Sequence, residues 1–286
     1  MDTKTKDDTA EVIDIRSLLD ECIFVPYNIQ EYGIIRLIVD GYLEHGLDVV
    51  EDADKEKMNR GLGYLHDTMH DLNKGLRGAC RGGHMELVEL MISKGANNWN
   101  HGLHSACEGG HLELVELMIS KGADIWDWGL YGACEGGHLK LAELMISKGA
   151  NNWNHGLHSA CRGGHLELVE LMIFKGAQNW NGGLWGACIG GHLKLAELMI
   201  VRRADVWDWG LHGACRGGHI DCVELMISKG AKDWIGGLRE ACRGNHLELV
   251  QLMTSKGIIK YDIRRCLSAH QYISNADIIA YLESLL

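Results

Sequence analysis

The chain has little proline and no long apolar run. A single proline, Pro26, stands against 37 glycines in 286 residues. This balance is typical of many short helices that end at glycine rather than of a sheet protein with proline turns. No apolar run approaches the ~18 residues that span a bilayer, and the opening MDTKTKDDTA lacks the apolar centre of a signal peptide. We therefore expect a soluble, intracellular protein without a membrane contact.

Positive charge is also scarce. The sequence has 28 Lys and Arg residues against 39 Asp and Glu residues, which gives a formal net charge of -11. An acidic protein repels phosphate groups, so its composition argues against binding to nucleic acid or to an anionic membrane. We predict neither partner.

A repeat with a period of 27 residues begins at Gly75 and opens each time with Gly-Leu. Each unit contains two helical pieces separated by a Gly-Gly-His corner, and the second piece is apolar around most of its circumference. One isolated unit cannot bury enough apolar surface to offset the entropy of ordering its residues, whereas stacked units can. The sequence therefore predicts an all-α helical-repeat solenoid.

The pattern divides the chain into four parts. We predict a disordered tail in residues 1–10 and a helical region with a degenerate repeat in 11–74. Seven regular repeats then occupy 75–258, and an altered repeat that caps the stack occupies 259–286. End units of such arrays need a changed outer face because no neighbour covers them.

Glycines at the ends of the predicted second helices have a backbone reason. Gly149 and its equivalents follow Ser-Lys or a similar pair, where a left-handed residue ends a helix at low cost. Asn245 replaces one corner glycine, and asparagine tolerates the same geometry. Arg203 stands at a helix end where the other repeats have glycine. We predict that Arg203 keeps the left-handed conformation under strain.

The segment 103–123, LHSACEGGHLELVELMISKGA, resembles the helical part of an ankyrin repeat, and this likeness recurs over residues 75–258. The resemblance implies a stack of helix pairs with protein ligands of no fixed class, and no small-molecule substrate. The six-residue connection between Ala123 and Leu130 is short, so the projecting hairpins should be reduced to Trp-containing turns. Repeats with this Trp look most like those of large DNA viruses of amoebae, which implies a viral protein inside a host cell.

Seven cysteines fall at one repeating position, from Cys80 to Cys242. Equivalent positions on stacked helices lie ~8–10 Å apart, beyond the ~7 Å Cα limit for a disulfide. We predict unbridged, buried thiols in a reducing compartment. Each cysteine is followed four residues later by histidine, which leaves a Cys/His metal-binding protein as an alternative. We favour a histidine that hydrogen-bonds to nearby backbone, and we predict no metal, no cofactor and no enzymatic activity, because a Cys–His pair without a third orienting residue is a poor catalytic centre.

Positions that vary within the array are free to contact a partner, whereas constant positions build the stack. By the ankyrin resemblance, the residue after each repeating cysteine faces the concave groove. Two pairs of apolar residues depart from the repeat nearby: Phe174 with Val201, and Trp185 with Ile189. We predict that they form one exposed apolar cluster, which suggests a binding site; the alternative is that Phe174 and Val201 pack on each other. The predicted partner-binding residues are Arg81, Glu108, Glu135, Arg162, Phe174, Trp185, Ile189, Arg216 and Arg243. The Trp that recurs in each turn, as at Trp99, is predicted to be a packing residue instead.

The sequence therefore predicts a non-enzymatic ankyrin-repeat protein that binds a protein partner through varied first-helix and turn residues. An alternative is a substrate adaptor for a ubiquitin ligase. Neither flank contains the Leu-Pro opening of an F-box, which weakens that alternative.

Overall fold

The computed structural model describes residues 69–268, 273 and 275–286, and this part of the chain is helical with no strand. The prediction of an all-α helical-repeat solenoid is confirmed. The predicted tail and most of the predicted degenerate repeat, residues 1–68, lie outside the described residues.

Sixteen helices follow one another in the described residues. They are α1 (Met69–Gly82), α2 (Met85–Ser93), α3 (Trp99–Gly109), α4 (Leu112–Ser120), α5 (Trp126–Gly136), α6 (Leu139–Lys148), α7 (Trp153–Gly163), α8 (Leu166–Lys175), α9 (Trp180–Ile189), α10 (Leu193–Val201), α11 (Trp207–Gly217), α12 (Ile220–Lys229), α13 (Trp234–Arg243), α14 (Leu247–Thr254), α15 (Lys260–Ser268) and α16 (Ala276–Ser284).

The helices form two layers. Odd-numbered helices are the first helices of their repeats, and even-numbered helices are the second. Through α13, each first helix packs against the first helices of the neighbouring repeats and against the second helix of its own repeat. Neighbouring second helices make few contacts with one another. The first helices approach so closely that a Cβ atom at Gly163 would overlap the backbone carbonyl oxygen of Glu135. The first helices therefore form the inner, more tightly spaced layer of the stack.

The core repeats with the sequence. In the second repeat Leu103, Ala106 and Cys107 of α3 are buried, as are Val115 and Met118 of α4, and each later repeat through α14 buries the equivalent residues. These side chains lie on the facing sides of the two helices, so each repeat depends on its neighbours for burial.

The Trp that begins each first helix from α3 to α13 is partly buried and packs against this core, in agreement with its predicted packing role. A cation from the end of the same repeat's second helix lies over several of these rings. Lys148 Nζ is 5.5 Å from the ring centroid of Trp126, and the Arg202 guanidinium is 5.9 Å from that of Trp180. The Trp thus joins the two ends of its repeat.

Helix ends follow the predicted left-handed geometry. Gly149, which ends α6, has φ 115°. Arg203 has φ 78° and Asn245 has φ 59°, and they are the two non-glycine residues with positive φ in the described chain. The left-handed conformation predicted for Arg203 is confirmed.

The helix pair α15 and α16 packs against the preceding repeat. Ile278 and Leu282 of α16 are buried, and the hydroxyls of Thr254 and Tyr281 lie 2.9 Å apart, which joins α14 to α16. No helix of the described residues has both the length and the apolar character needed to cross a membrane.

Candidate partner-binding groove

The first-helix layer presents one continuous surface. If the Trp that begins each first helix is position 1, side chains at positions 3, 6, 7 and 10 share one helical face. We call this surface the groove. Its larger side chains are Lys74, Arg77, Arg81, His101, His104, Glu108, Trp128, Tyr131, Glu135, His155, His158, Arg162, Trp185, Ile189, Trp209, His212, Arg216, Arg239, Glu240 and Arg243.

A ladder of side-chain amides and carboxylates fixes the turns beside the groove. Asn154 Oδ1 accepts the backbone N–H groups of Gln178 at 2.8 Å and of Asn179 at 2.9 Å. Asparagine or aspartate makes the same pair of bonds at the equivalent position of the other repeats: Asn73, Asn100, Asp127, Asn181 and Asp208. The ladder satisfies the two backbone donors that precede each following first helix.

The corner histidines tie successive repeats together. His165 Nε2–H donates to the carbonyl oxygen of Glu135 at 3.0 Å, and His192 donates to that of Arg162 at 3.1 Å. The predicted bond to backbone is therefore present, and its acceptor belongs to the preceding repeat rather than to the same corner. In the described part of the chain no three His, Cys, Asp or Glu residues are grouped as metal ligands would be.

The repeating cysteines are unbridged and buried, as predicted. Burial raises the pKa of Cys107 and Cys161 to about 12, so both stay protonated at neutral pH. The additional Cys222 hydrogen-bonds to Cys188, and this bond together with burial raises the pKa of Cys188. These thiols fill small core sites and present no nucleophile to the groove.

In the first four repeats, the predicted contact residues at position 10 pair with one another. Arg81 Nη2 lies 2.5 Å from Glu108 Oε2, and Arg162 Nε lies 3.4 Å from Glu135 Oε1. Burial raises the pKa of Glu108, although the guanidinium of Arg81 acts against that shift. These four side chains therefore stand on the groove as ion pairs with compensated charge.

In the last two repeats the charges are arranged differently. Arg216 and Arg243 both reach Glu240, at 3.8 Å and 2.7 Å respectively. Two guanidinium groups thus share one carboxylate, and their side chains are 51% and 49% exposed. This end of the groove keeps accessible positive charge.

Aromatic rings occupy the centre of the groove. The rings of His101 and Trp128 meet edge to face at 4.7 Å, and those of Tyr131 and His155 stack at 5.2 Å. Burial, with nearby arginines second, lowers the pKa of His104 and of His158 to about 4. Both are therefore neutral at pH 7, and the 3.7 Å approach of His104 to Glu108 is not an ion pair there.

One open depression of about 320 Å³ interrupts the groove. It is lined by Gly182, Trp185, Trp209, His212, Arg216 and Glu240. Trp209 is 53% exposed, because the equivalent residues of the repeats on either side are Gly182 and Gly236 and leave its ring uncovered. His212 forms a further wall, held by a 3.0 Å hydrogen bond from its Nε2 to Asp233 Oδ2.

The predicted apolar cluster is divided between the two layers. Trp185 and Ile189 lie half-buried on α9 in the groove. Phe174 and Val201 lie in the last turns of the second helices α8 and α10 and are 84% and 79% exposed, so they do not bury each other. The idea that all four residues form one patch is not supported by this placement, because they belong to different layers.

The contact residues predicted from the sequence omit four residues that line the depression: Gly182, Trp209, His212 and Glu240. The sequence nevertheless contains a signal for Trp209 and for Glu240. Trp209 replaces a glycine or histidine of other repeats, and Glu240 stands where the other units have Gly or Ser. Gly182 and Gly236, at position 3 of the repeats before and after Trp209, are a stronger signal than either substitution. A repeat without a side chain next to one with a large side chain leaves a depression in the surface.

The comparisons with known proteins agree with this architecture. A family model described as ankyrin repeats (3 copies) matches residues 54–127, and one described as ankyrin repeats (many copies) matches residues 130–173. No curated protein sequence matches the chain. Among solved structures 127 chains match. One of them is the human ASB11 ankyrin repeat domain, with 24% identity over 55% of this chain and 84% of that chain and a TM-score of 0.37. The helix pairs, the Gly-His corners and the two family matches together identify ankyrin repeats in this chain, over the residues that the two models match.

Proposed function

We propose that this protein binds a protein partner through the groove and has no catalytic role. The observation that carries the proposal is the depression between Trp185 and Trp209, which two indole rings and the half-exposed Arg216 line. The half-exposed Arg243 lies beside it, paired with the lining residue Glu240. Trp, Tyr and Arg are the residue types that dominate binding energy at protein interfaces. Ankyrin repeats are, in general, protein-interaction modules.

The residues predicted from the sequence take different parts in this proposal. Trp185, Ile189, Arg216 and Arg243 provide the contact surface of the last three groove repeats. The ion-paired set Arg81, Glu108, Glu135 and Arg162 orients the partner, because paired charges contribute to specificity more than to affinity. Phe174, on the outer layer, is proposed as a second, separate contact.

Three further possibilities concern an adaptor role, a viral origin and metal binding. A role as adaptor for a ubiquitin ligase has no described residue in its favour. A viral origin and a place inside a host cell rest on the resemblance of the Trp-containing repeat, to which the unbridged cysteines add support for a reducing compartment. Metal binding is less favoured, because the described residues bring no three His, Cys, Asp or Glu side chains together as metal ligands would be.

Affinity capture with matched variants tests the function. The wild-type protein, the double variant Trp185→Ala/Arg216→Ala and the outer-layer variant Glu170→Ala would each be immobilised and exposed to extract of the native cell. We expect a protein that is retained by the wild type and by Glu170→Ala and lost from the double variant. Equal retention by all three would contradict a groove-based function, provided that thermal unfolding shows each variant to be folded.

A further inference from the structure

The shape and charge of the depression favour one chemical class of ligand over others. We propose that it binds an extended acidic peptide segment of a partner, with one aromatic side chain seated between Trp185 and Trp209. This inference rests on the proposed function and specifies the chemistry of its partner.

The volume limits what can enter. About 320 Å³ is at the lower end of the ~300–1,000 Å³ typical of small ligand sites. Such a space accommodates one large side chain with part of its backbone, and not the face of a folded domain. Its openness to the groove lets a chain enter and leave along the row of first helices.

The lining favours a flat aromatic ring. Trp209 is 53% exposed, and both equivalent residues beside it are glycines, so its ring faces lack the covering that Trp128 receives from His101. Trp185 already stacks on His158 at 5.0 Å on one side. An incoming ring can therefore stack or meet these indoles edge to face, an arrangement that aromatic pairs prefer.

Two indoles could also hold a cation, and the charges around them decide between the two ligands. The one carboxylate of the lining, Glu240, is already engaged by Arg243 at 2.7 Å and by Arg216 at 3.8 Å. Arg239, at position 6 of the same repeat, is exposed. A second carboxylate, Asp233, lies next to the depression and is engaged by His212 at 3.0 Å. A lysine or arginine side chain would therefore meet the Arg216 guanidinium in the lining and two carboxylates that already have partners, whereas an acidic residue next to the aromatic anchor would meet a favourable field.

The groove as a whole carries the same excess of positive charge. Seven Lys and Arg residues and three Glu residues stand at the groove positions, although the whole chain has a net charge of -11. The basic side chains do not form a continuous track, because Glu108, Glu135 and Ile189 interrupt them at position 10. A nucleic-acid strand needs such a track for its evenly spaced phosphates, so the interruptions favour an acidic peptide over RNA.

Fluorescence anisotropy with four labelled probes tests the proposal on the full chain. The probes are the peptide Gly-Ser-Asp-Glu-Trp-Asp-Glu-Ser-Gly, its version with Ala for Trp, its version with Lys at every acidic position, and a short oligouridylate. We expect the acidic aromatic peptide to bind at least about tenfold more tightly than each of the others, a difference of ~1.4 kcal/mol. Tighter or equal binding of the lysine version or of the oligouridylate would overturn the proposal.

Paired variants locate the binding. Trp209→Ala should weaken binding of the acidic aromatic peptide about tenfold, and Arg216→Glu should weaken it further as salt is lowered. Trp128→Ala, at the equivalent position three repeats earlier and outside the depression, should change affinity by less than about twofold. Equal losses for Trp128→Ala and Trp209→Ala would place the peptide elsewhere and overturn the inference.

The two sets of experiments distinguish a failure of the peptide proposal from a failure of the proposed groove function. If a captured partner loses affinity with the double variant Trp185→Ala/Arg216→Ala while all four probes fail to bind, the peptide chemistry is wrong and the groove function stands. If the captured partner is retained by that variant, the groove function fails independently of the probes.

Discussion

The imidazole ring of His158 stacks on the indole of Trp185, with centroids 5.0 Å apart and planes inclined by 20°. The stack joins α7 to α9 within the groove. It also places an ionisable group where burial lowers its pKa to about 4, with Arg162 as the next cause.

This pKa predicts a pH dependence of stability. In the unfolded chain the pKa of histidine is ~6.5, so the unfolded state takes up the proton first as the pH falls. The stabilisation from neutral His158 is complete above pH ~6.5 and is lost as the pH falls toward about 4. Across this pH window we expect the free energy of unfolding of His158→Gln to fall by about 1–3 kcal/mol less than that of the wild type. Denaturant titrations at pH 7 and pH 4.5 measure the difference, and identical losses in the two proteins would show that His158 does not titrate as described.

Arg203 offers a second prediction because it holds φ 78° at a helix end where glycine is the usual residue. The left-handed conformation costs a non-glycine residue ~1–2 kcal/mol, partly offset by the greater freedom of glycine in the unfolded chain. Arg203→Gly should raise the free energy of unfolding by about 0.5–1 kcal/mol. Arg202→Gly is the contrasting change at the neighbouring residue, which has φ -80°. It should be destabilising, because glycine gains no relief there and the guanidinium over Trp180 is lost. If Arg203→Gly unfolds at a lower urea concentration than the wild type, the backbone of Arg203 is not strained.

The amide ladder supplies a third prediction. Asn154→Ala leaves the backbone N–H groups of Gln178 and Asn179 without their acceptor, so we expect it to lower the free energy of unfolding by about 1–2 kcal/mol. Asn154→Asp should cost less, because Asp127 makes the same bonds in the preceding repeat. The exposed Asn151 contributes its backbone to the ladder, and Asn151→Ala is expected to cost under ~0.5 kcal/mol. Equal costs for the two alanine variants would mean that the ladder does not stabilise the turns.

Alanine substitutions at Phe174, Trp185 and Ile189 should affect partner binding more than they affect stability. Phe174 is 84% exposed, so Phe174→Ala should change stability by less than about 0.5 kcal/mol. Trp185→Ala and Ile189→Ala remove half-buried groove side chains and should weaken partner binding by more than they weaken folding. Thermal unfolding and the dissociation constant of the captured partner give the two quantities. A collapse of stability with unchanged affinity in the folded fraction would assign Trp185 and Ile189 to packing.

The sequence predicts the fold well for physical reasons visible in single residues. Gly149 marks a helix end, Cys107 marks a small core site, and the 27-residue period requires stacking because no unit buries its own apolar face. Even the exceptional φ of Arg203 follows from the position at which it stands in the period.

The groove was harder to predict, because its properties arise between repeats. That Arg81 pairs with Glu108 depends on the distance between two first helices, which the sequence does not contain. The exposure of Trp209 depends on two glycines, each 27 residues away. The division of Phe174 and Trp185 between layers likewise follows from the arrangement of helices rather than from their nearness along the chain.

Hydroxyl-radical footprinting of the complex with the captured partner tests the central claim most directly, because it reports the solvent access of individual side chains. We expect oxidation of Trp185 and Trp209 to fall several-fold when the partner is bound, while that of the edge-covered Trp128 changes little. Unchanged oxidation of Trp185 and Trp209 in a saturated complex would contradict a partner-binding groove on the first-helix layer.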